Sequence, residues 1–195
     1  MHTVKWRRLS NPGGASRPPD AATFEQVVLP HLDSAHNVAR WLVRDASLAE
    51  DVVQDAMLRA LAYFSGFRGG DARPWLMQIV RNVAYGALAT RRQRAETSFD
   101  EDFDGSGDET AALHVADPAD DPEVALTRRQ DLKQLEHALA ALPAELRECV
   151  VLRELEGFSY KEIAQVTGVP VGTVMSRLWR ARRTLMSSCS KGFDA

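Results

Sequence analysis

The sequence lacks the features that mark secreted, zinc-binding and membrane proteins. Cys149 and Cys189 are its two cysteines, and it has neither a C-x-x-C pair nor a histidine pair at zinc-ligand spacing. No apolar run is long enough to cross a membrane, and the N-terminus has no signal-peptide core. We therefore expect no membrane insertion, a reducing cytoplasmic location, and a Cys149 thiol buried in a core.

Motifs of catalysis are missing as well. The chain has no glycine-rich phosphate loop and no nucleophile–base motif, and its five histidines are scattered without partner spacing. An enzyme is therefore the least favoured interpretation, and we expect no metal and no cofactor.

Basic residues are absent from one long segment, and this absence divides the chain. Between Ala95 and Glu123 lie eleven of the 27 acidic residues and none of the 24 basic ones. Because that segment is also rich in Gly, Ser and Pro, it should form an acidic flexible linker. Elsewhere apolar residues recur at helical spacing, which predicts an all-α protein. We expect a flexible basic tail at 1–20 and two small helical domains at 21–94 and 124–190.

The stretch from Phe158 to Leu185 has the pattern of a helix-turn-helix. Ser159 and Glu162 have capping-box spacing, so a helix should begin at Tyr160. Gly168 suits the turn because glycine tolerates positive φ, and Pro170 favours the start of a second helix.

The second helix of this motif has two different faces at 100° per residue. The inward face should comprise Val171, Val174, Leu178, Ala181 and Leu185. The outward face should comprise Thr173, Ser176, Arg177, Arg180 and Arg183. Hydroxyls and guanidiniums bind phosphates and guanine edges, so we expect DNA binding. An ordinary solvated basic helix is the alternative, which the agreement of cap, turn and faces disfavours.

The N-terminal half carries a second amphipathic helix, which a capping box at Ser47 and Glu50 should start and which should reach about Phe64. The side of the helix opposite its apolar residues carries one leucine, Leu58, among three polar residues: Asp51, Gln54 and Asp55. Such a face is either a protein-docking surface or an ordinary solvated face.

A glycine-rich loop and a third helix follow. In the loop, Ser65–Ala72, Phe67 and Arg68 could stack on an unpaired base, although the segment also suits a plain loop. The helix should run from Arg73 to about Arg92. Its polar side carries residue types that nucleic-acid recognition uses: Gln78, Arg81, Asn82, Tyr85, Arg91 and Arg92.

Three segments form a recognisable set: AEDVVQDAMLRAL, PWLMQIVRNVAY and, after the linker, LPAELRECVVLRELEGFSYKEIAQVTGVPVGTVMSRLWRARRTL. Together they resemble the bacterial extracytoplasmic-function sigma factors of the sigma-70 family, over roughly residues 24–186. The resemblance implies an RNA polymerase subunit that directs initiation without chemistry of its own. It implies core RNA polymerase, promoter DNA and an inhibitory anti-sigma factor as partners.

The resemblance also assigns a role to each surface. The face around Leu58 lies where the family docks on the clamp helices of the largest polymerase subunit, which favours docking over a solvated face. The glycine-rich loop and the helix after it correspond to the start-proximal promoter element, and the second helix of the helix-turn-helix to the upstream element. The linker would run toward the RNA exit path. Gly86 departs from the family pattern, because many relatives have aspartate there.

Two other functions stay open. A sigma-like decoy would bind an anti-sigma protein without recognising promoters, but it would not need Arg177, Arg180 and Arg183 arranged for DNA. A conventional helix-turn-helix repressor or response regulator is disfavoured, because the chain has an N-terminal helical body and no receiver or ligand-binding domain.

Overall fold

The computed structural model describes residues 23–97 and 133–190, and all regular structure in these ranges is helical. The predicted tail and nearly all of the predicted linker lie outside the described residues. Within the described ranges no helix is long and apolar enough to cross a membrane. The prediction of an all-α protein with two helical regions is confirmed.

Four α-helices form the N-terminal lobe. They are α1 (Phe24–Val27), α2 (Leu32–Val43), α3 (Ala46–Tyr63) and α4 (Ala72–Thr97), with 3-10 turns at Leu29–His31 and Phe64–Gly66. Helices α2, α3 and α4 pack on one another. Their shared core is apolar and buried, which supplies the main driving force for folding: Val38, Leu42, Val52, Leu76, Met77 and Val80.

The C-terminal lobe begins with helical residues 133–141, here α5. It continues with α6 (Ala144–Val150), which runs on as a π-helix over Val151–Leu155, then α7 (Tyr160–Thr167) and α8 (Val171–Ser190). Cys149 is fully buried, and burial together with the Glu148 carboxylate raises its pKa to about 11. The prediction of a core thiol is confirmed.

The helix-turn-helix forms as its local signals predict. Ser159 and Glu162 make both hydrogen bonds of a capping box at the start of α7. Gly168 ends α7 in the left-handed conformation with φ 72°. Of the predicted inward residues of α8, Val174, Leu178 and Ala181 are buried and Leu185 packs on the core. Val171 is 38% exposed, so its assignment to the core is wrong. Val171 is the first residue of α8, and the buried side of that helix begins one turn later at Val174.

The two lobes pack against each other. Helix α7 lies on α4, and α6 lies on α2. Arg147, although 6% exposed, donates hydrogen bonds across the junction to the Trp41 carbonyl at 3.0 Å and within its own lobe to the Ala140 and Leu142 carbonyls, each at 3.1 Å. Its buried guanidinium therefore ties the end of α5 to α2.

Helix α3 is capped two residues earlier than the sequence predicts. Asp45, not Ser47, is the N-cap, and its carboxylate accepts a hydrogen bond of 2.9 Å from the Leu48 amide. This hydrogen bond is the main cause that lowers the pKa of Asp45, and Arg91 adds to it. The predicted capping box at Ser47 is wrong, because Asp45 already has the extended backbone of a cap and Ser47 lies inside the helix.

The two candidate caps can be separated by mutation. Asp45→Ala should lower the free energy of unfolding by about 1 kcal/mol, the usual value of an N-cap, while Ser47→Ala should change it by a few tenths. Chemical denaturation at neutral pH measures both. The pKa of Asp45 is lowered from its ordinary value of 3.8. The stabilisation by Asp45 should therefore be fully present above pH 3.8 and be lost only as the pH falls through the lowered pKa. Equal losses in the two variants would contradict the cap assignment.

Candidate protein and nucleic-acid interfaces

The exposed side of α3 carries the acidic face around a leucine. Asp51 and Gln54 are exposed, and 68% of the Leu58 surface is exposed. Asp55 is half-buried because Arg59, one turn later, donates two hydrogen bonds of 2.8 Å to its carboxylate. The structure therefore brings the four predicted residues together on one face. An exposed leucine beside carboxylates suits a protein partner.

The same face is more apolar than the sequence analysis expected. Leu61 is 56% exposed and continues the surface from Leu58 toward the end of α3. The spacing of three residues between Leu58 and Leu61 was the available signal, since positions i and i+3 share a helix side.

The glycine-rich loop is anchored by aromatic packing. The Phe67 ring stacks on Phe64 with centroids 6.0 Å apart and lies 5.1 Å from the Trp75 ring. Phe67 is half-buried, whereas Arg68 is exposed. Gly69 holds φ at 87°, a conformation that side chains disfavour. Of the two predicted residues, Phe67 thus fixes the loop and Arg68 presents its side chain to solvent.

Two central residues of the predicted nucleic-acid face on α4 contact the other lobe. Arg81 Nε donates a hydrogen bond of 2.6 Å to the Glu148 carboxylate on α6, and the Tyr85 hydroxyl lies 3.4 Å from the other carboxylate oxygen. The Arg81 guanidinium also lies over the Tyr85 ring, 4.7 Å from its centroid. Glu148 is not among the residues predicted from the sequence, because no periodic pattern singles it out.

The other predicted residues of α4 are spread along its length. Gln78 and Asn82 are half-buried, beside Arg81. Arg91 is exposed and pairs with the Asp45 cap at 2.9 Å, while Arg92 is exposed. The arrangement therefore places the basic end of α4 in solvent and covers its middle.

A second contact between the lobes lies at the start of α4. Arg73 donates to the Glu156 carboxylate at 3.0 Å and to the Glu156 carbonyl, and its guanidinium lies 4.4 Å from the Phe158 ring centroid. Asn37 on α2 donates to the same carboxylate at 3.3 Å. The Glu156 side chain is 5% exposed and the Arg73 side chain 30% exposed, so the carboxylate is the buried member of this contact.

The Glu148 carboxylate is the most strongly buried charge of this junction. It is 1% exposed, and burial raises its pKa while the neighbouring Arg81 guanidinium opposes that rise. Burial and the Glu148 carboxylate raise the pKa of Tyr85 to about 12. Tyr85 therefore remains a neutral hydroxyl at physiological pH and can donate to the carboxylate.

The outward face of α8 presents hydroxyl and guanidinium groups, with one exception. Ser176, Arg180 and Arg183 are exposed, and Thr173 is half-buried. Arg177 has an 11% exposed side chain whose guanidinium donates 2.8 Å to Glu145 on α6. The prediction that Arg177 faces outward is wrong. It lies on the flank of α8 that α6 covers, and helical periodicity does not tell which flank a neighbour will cover.

An aromatic residue missed by the sequence analysis belongs to the outward face. Trp179 is 61% exposed, and the Arg183 guanidinium lies 5.4 Å from its ring centroid. Cation–π contact of this kind restrains the guanidinium on the surface. Met175, on the same side, is 53% exposed.

Comparisons with known proteins match both lobes. The family described as sigma-70 region 2 matches residues 27–94, and sigma-70 region 4 matches residues 132–185. The RNA polymerase sigma-H factor of Pseudomonas aeruginosa is 34% identical over 171 residues, which cover 85% of this chain and 86% of that protein. The chain belongs to the sigma-70 family.

Two further relatives narrow the branch of the family. The protein named ECF RNA polymerase sigma-E factor from Escherichia coli is 35% identical over 142 residues, which cover 69% of this chain and 70% of that one. The sigma factor RpoE of Bartonella quintana, solved in complex with the anti-sigma factor NepR, is 32% identical, with a TM-score of 0.69 and coverage of 86% and 96%. The chain is an extracytoplasmic-function sigma factor, which is a transcription initiation factor and not an enzyme.

Proposed function

We propose that this sigma factor docks on core RNA polymerase through α3 and recognises promoters through α4 and α8. One observation carries the proposal: two exposed faces of different chemistry lie on two helices that belong to separate sigma regions. The acidic and apolar face of α3 suits a protein, and the hydroxyl and guanidinium face of α8 suits DNA.

The docking face comprises Asp51, Gln54, Asp55 and Leu58, extended by Leu61. Leu58 is the most exposed leucine of the described residues, which makes it the natural centre of an apolar contact. The Arg59–Asp55 pair leaves the exposed Asp51 carboxylate to meet a basic partner.

The start-proximal promoter element would be bound by α4 and the preceding loop. Arg68 and Arg92 are exposed, which suits them to phosphates and bases. The remaining members of this surface are Phe67, Gln78, Arg81, Asn82, Tyr85 and Arg91. Arg81 and Tyr85 form a stacked pair that could hold a base edge once Glu148 is displaced.

The upstream promoter element would be bound by Thr173, Ser176, Arg180 and Arg183 on α8. Three of the four are exposed, and short hydroxyls beside guanidiniums allow close approach to the DNA backbone. We assign Arg177 to holding α8 on α6, because its guanidinium is occupied by Glu145.

Regulation by an anti-sigma factor forms part of the proposal. The related Bartonella quintana protein was solved with an anti-sigma factor, and the likeness covers 86% of this chain. We propose a partner of the same class here, and a cytoplasmic location, since the chain would work with RNA polymerase. The decoy alternative is disfavoured because the curated relatives are named as RNA polymerase sigma factors.

Reconstituted transcription tests the function directly. The chain is added to core RNA polymerase on fragmented genomic DNA, and transcript 5′ ends are sequenced. We expect start sites that share one upstream and one start-proximal motif and that disappear when the chain is omitted. Tight binding to an anti-sigma protein without any start site would support the decoy instead.

Core docking makes a prediction about Leu58. Leu58→Glu should weaken binding to core polymerase about tenfold or more, because a central apolar contact becomes a buried charge. Surface plasmon resonance on immobilised core measures the loss. Leu135→Glu, at an exposed leucine of the other lobe, is the matched control and should bind nearly as the parent. Equal binding by the Leu58 and Leu135 variants would remove the docking assignment.

Two of the arginines of α8, Arg177 and Arg180, make a second prediction. Arg180→Ala should weaken promoter binding by the holoenzyme and reduce the slope of log affinity against log salt by about 1 if it binds phosphate. If it binds a base, it should instead relax one promoter position at a cost of about 1–3 kcal/mol. Arg177→Ala should change neither the salt slope nor the sequence preference. A loss of slope or specificity in the Arg177 variant would return that residue to the DNA face.

A further inference from the structure

The exposed surface of α8 divides into a polar flank and an apolar flank. Ser176 and Arg180, one turn apart, belong to the polar flank. Met175 and Trp179, also one turn apart, form the apolar flank, and they are 53% and 61% exposed. The surface proposed above for the upstream element uses the hydroxyls and guanidiniums of this helix. It leaves the apolar flank without a function.

The exposure of the Trp179 indole does not serve the packing of the C-terminal lobe. The buried side of α8, which packs on α6 and α7, consists of Val174, Leu178 and Ala181. An indole left in water forgoes the free energy that its burial would release. Two large apolar side chains next to each other in solvent therefore indicate a surface that a partner covers.

The charge of α8 favours duplex DNA as that partner. The helix contains four arginines and no acidic residue. Arg180 is exposed, and the Arg183 guanidinium lies 5.4 Å from the centroid of the Trp179 ring. A guanidinium in this position can bind a phosphate while the ring lies toward the bases. A protein partner that covered the indole would also have to neutralise these arginines.

We propose that Met175 and Trp179 contact the C5-methyl group of a thymine in the upstream promoter element. The inference rests on the proposed function, because it requires α8 to lie in the major groove. Among the base edges of that groove, the thymine methyl is the apolar group. Hydrogen-bonding edges suit Ser176 and Arg180, whereas an apolar side chain is needed to recognise a methyl group. The apolar flank thus determines specificity at a position that the polar flank does not recognise.

Removing one methyl group from the DNA tests the proposal. The probe is a duplex promoter taken from the start sites of the reconstituted enzyme, in which each thymine of the upstream motif is replaced singly by deoxyuridine. Competition for the holoenzyme measures the affinity. At one position or at two adjacent ones, deoxyuridine should lower the affinity of the parent about fourfold, which corresponds to one buried methyl group. The hydrogen-bonding groups of the base pair are the same in both probes.

Substitution of the apolar residues should remove this sensitivity. Trp179→Ala should bind the thymine and deoxyuridine promoters equally, and Met175→Ala should reduce the difference. Trp179→Phe retains an aromatic ring and should keep part of it. Met186→Ala, at an exposed methionine about two turns further along α8, is the matched control and should keep the full difference. Because Trp179 is exposed, its substitution should leave the denaturation midpoint nearly unchanged.

The outcomes separate this inference from the proposed function. If the start sites share an upstream motif but none of its thymines is sensitive to deoxyuridine, the inference is wrong and the proposed function stands. The same holds if Trp179→Ala remains as sensitive as the parent. If that variant also binds core RNA polymerase more weakly, the apolar flank is a protein contact. The absence of any shared upstream motif would contradict the inference and the proposed function together.

Discussion

The buried carboxylate of Glu148 is the interaction on which the arrangement of this sigma factor depends. Glu148 lies on α6 and is 1% exposed. Arg81 and Tyr85, on α4 of the other lobe, donate hydrogen bonds to its carboxylate. A carboxylate removed from water needs such partners, since an unpaired one would be strongly destabilising. Satisfying the Glu148 carboxylate therefore brings the side of α4 that we propose to bind promoter DNA against the C-terminal lobe.

Local stereochemistry supplies the rigid parts that this junction connects. The Ser159 capping box and the left-handed Gly168 fix α7 against α8, and the Asp45 cap fixes the start of α3. Arg147 then ties α5 to α2 through three carbonyls. The buried apolar residues of both lobes belong to one core cluster, so the contact between the lobes is apolar as well as ionic.

The features that could be predicted from the sequence are those that depend on residues close together in the chain. The capping box at Ser159 and the exposed leucine on α3 follow from local spacing, and the structure contains both. Asp45 rather than Ser47 caps α3, because the extended backbone of a cap occurs at residue 45. Sequence spacing alone does not distinguish two candidate caps that lie two positions apart. Arg177 turned inward because α6 covers one flank of α8. The partner of Glu148 is 67 residues away, and periodicity within a helix carries no information about such a contact.

The distance between the lobes can be measured directly in the free chain and on core RNA polymerase. Asp33 in α2 and Gln165 in α7 are exposed, so each can be replaced by a spin-labelled cysteine in a Cys189→Ser background. Pulsed electron paramagnetic resonance then measures the distance between the two labels. We expect one short, narrow distance distribution in the free chain and a longer one after core RNA polymerase binds. The same distribution in both states, or a broad and long one in the free chain, would contradict the claim that Glu148 closes the molecule.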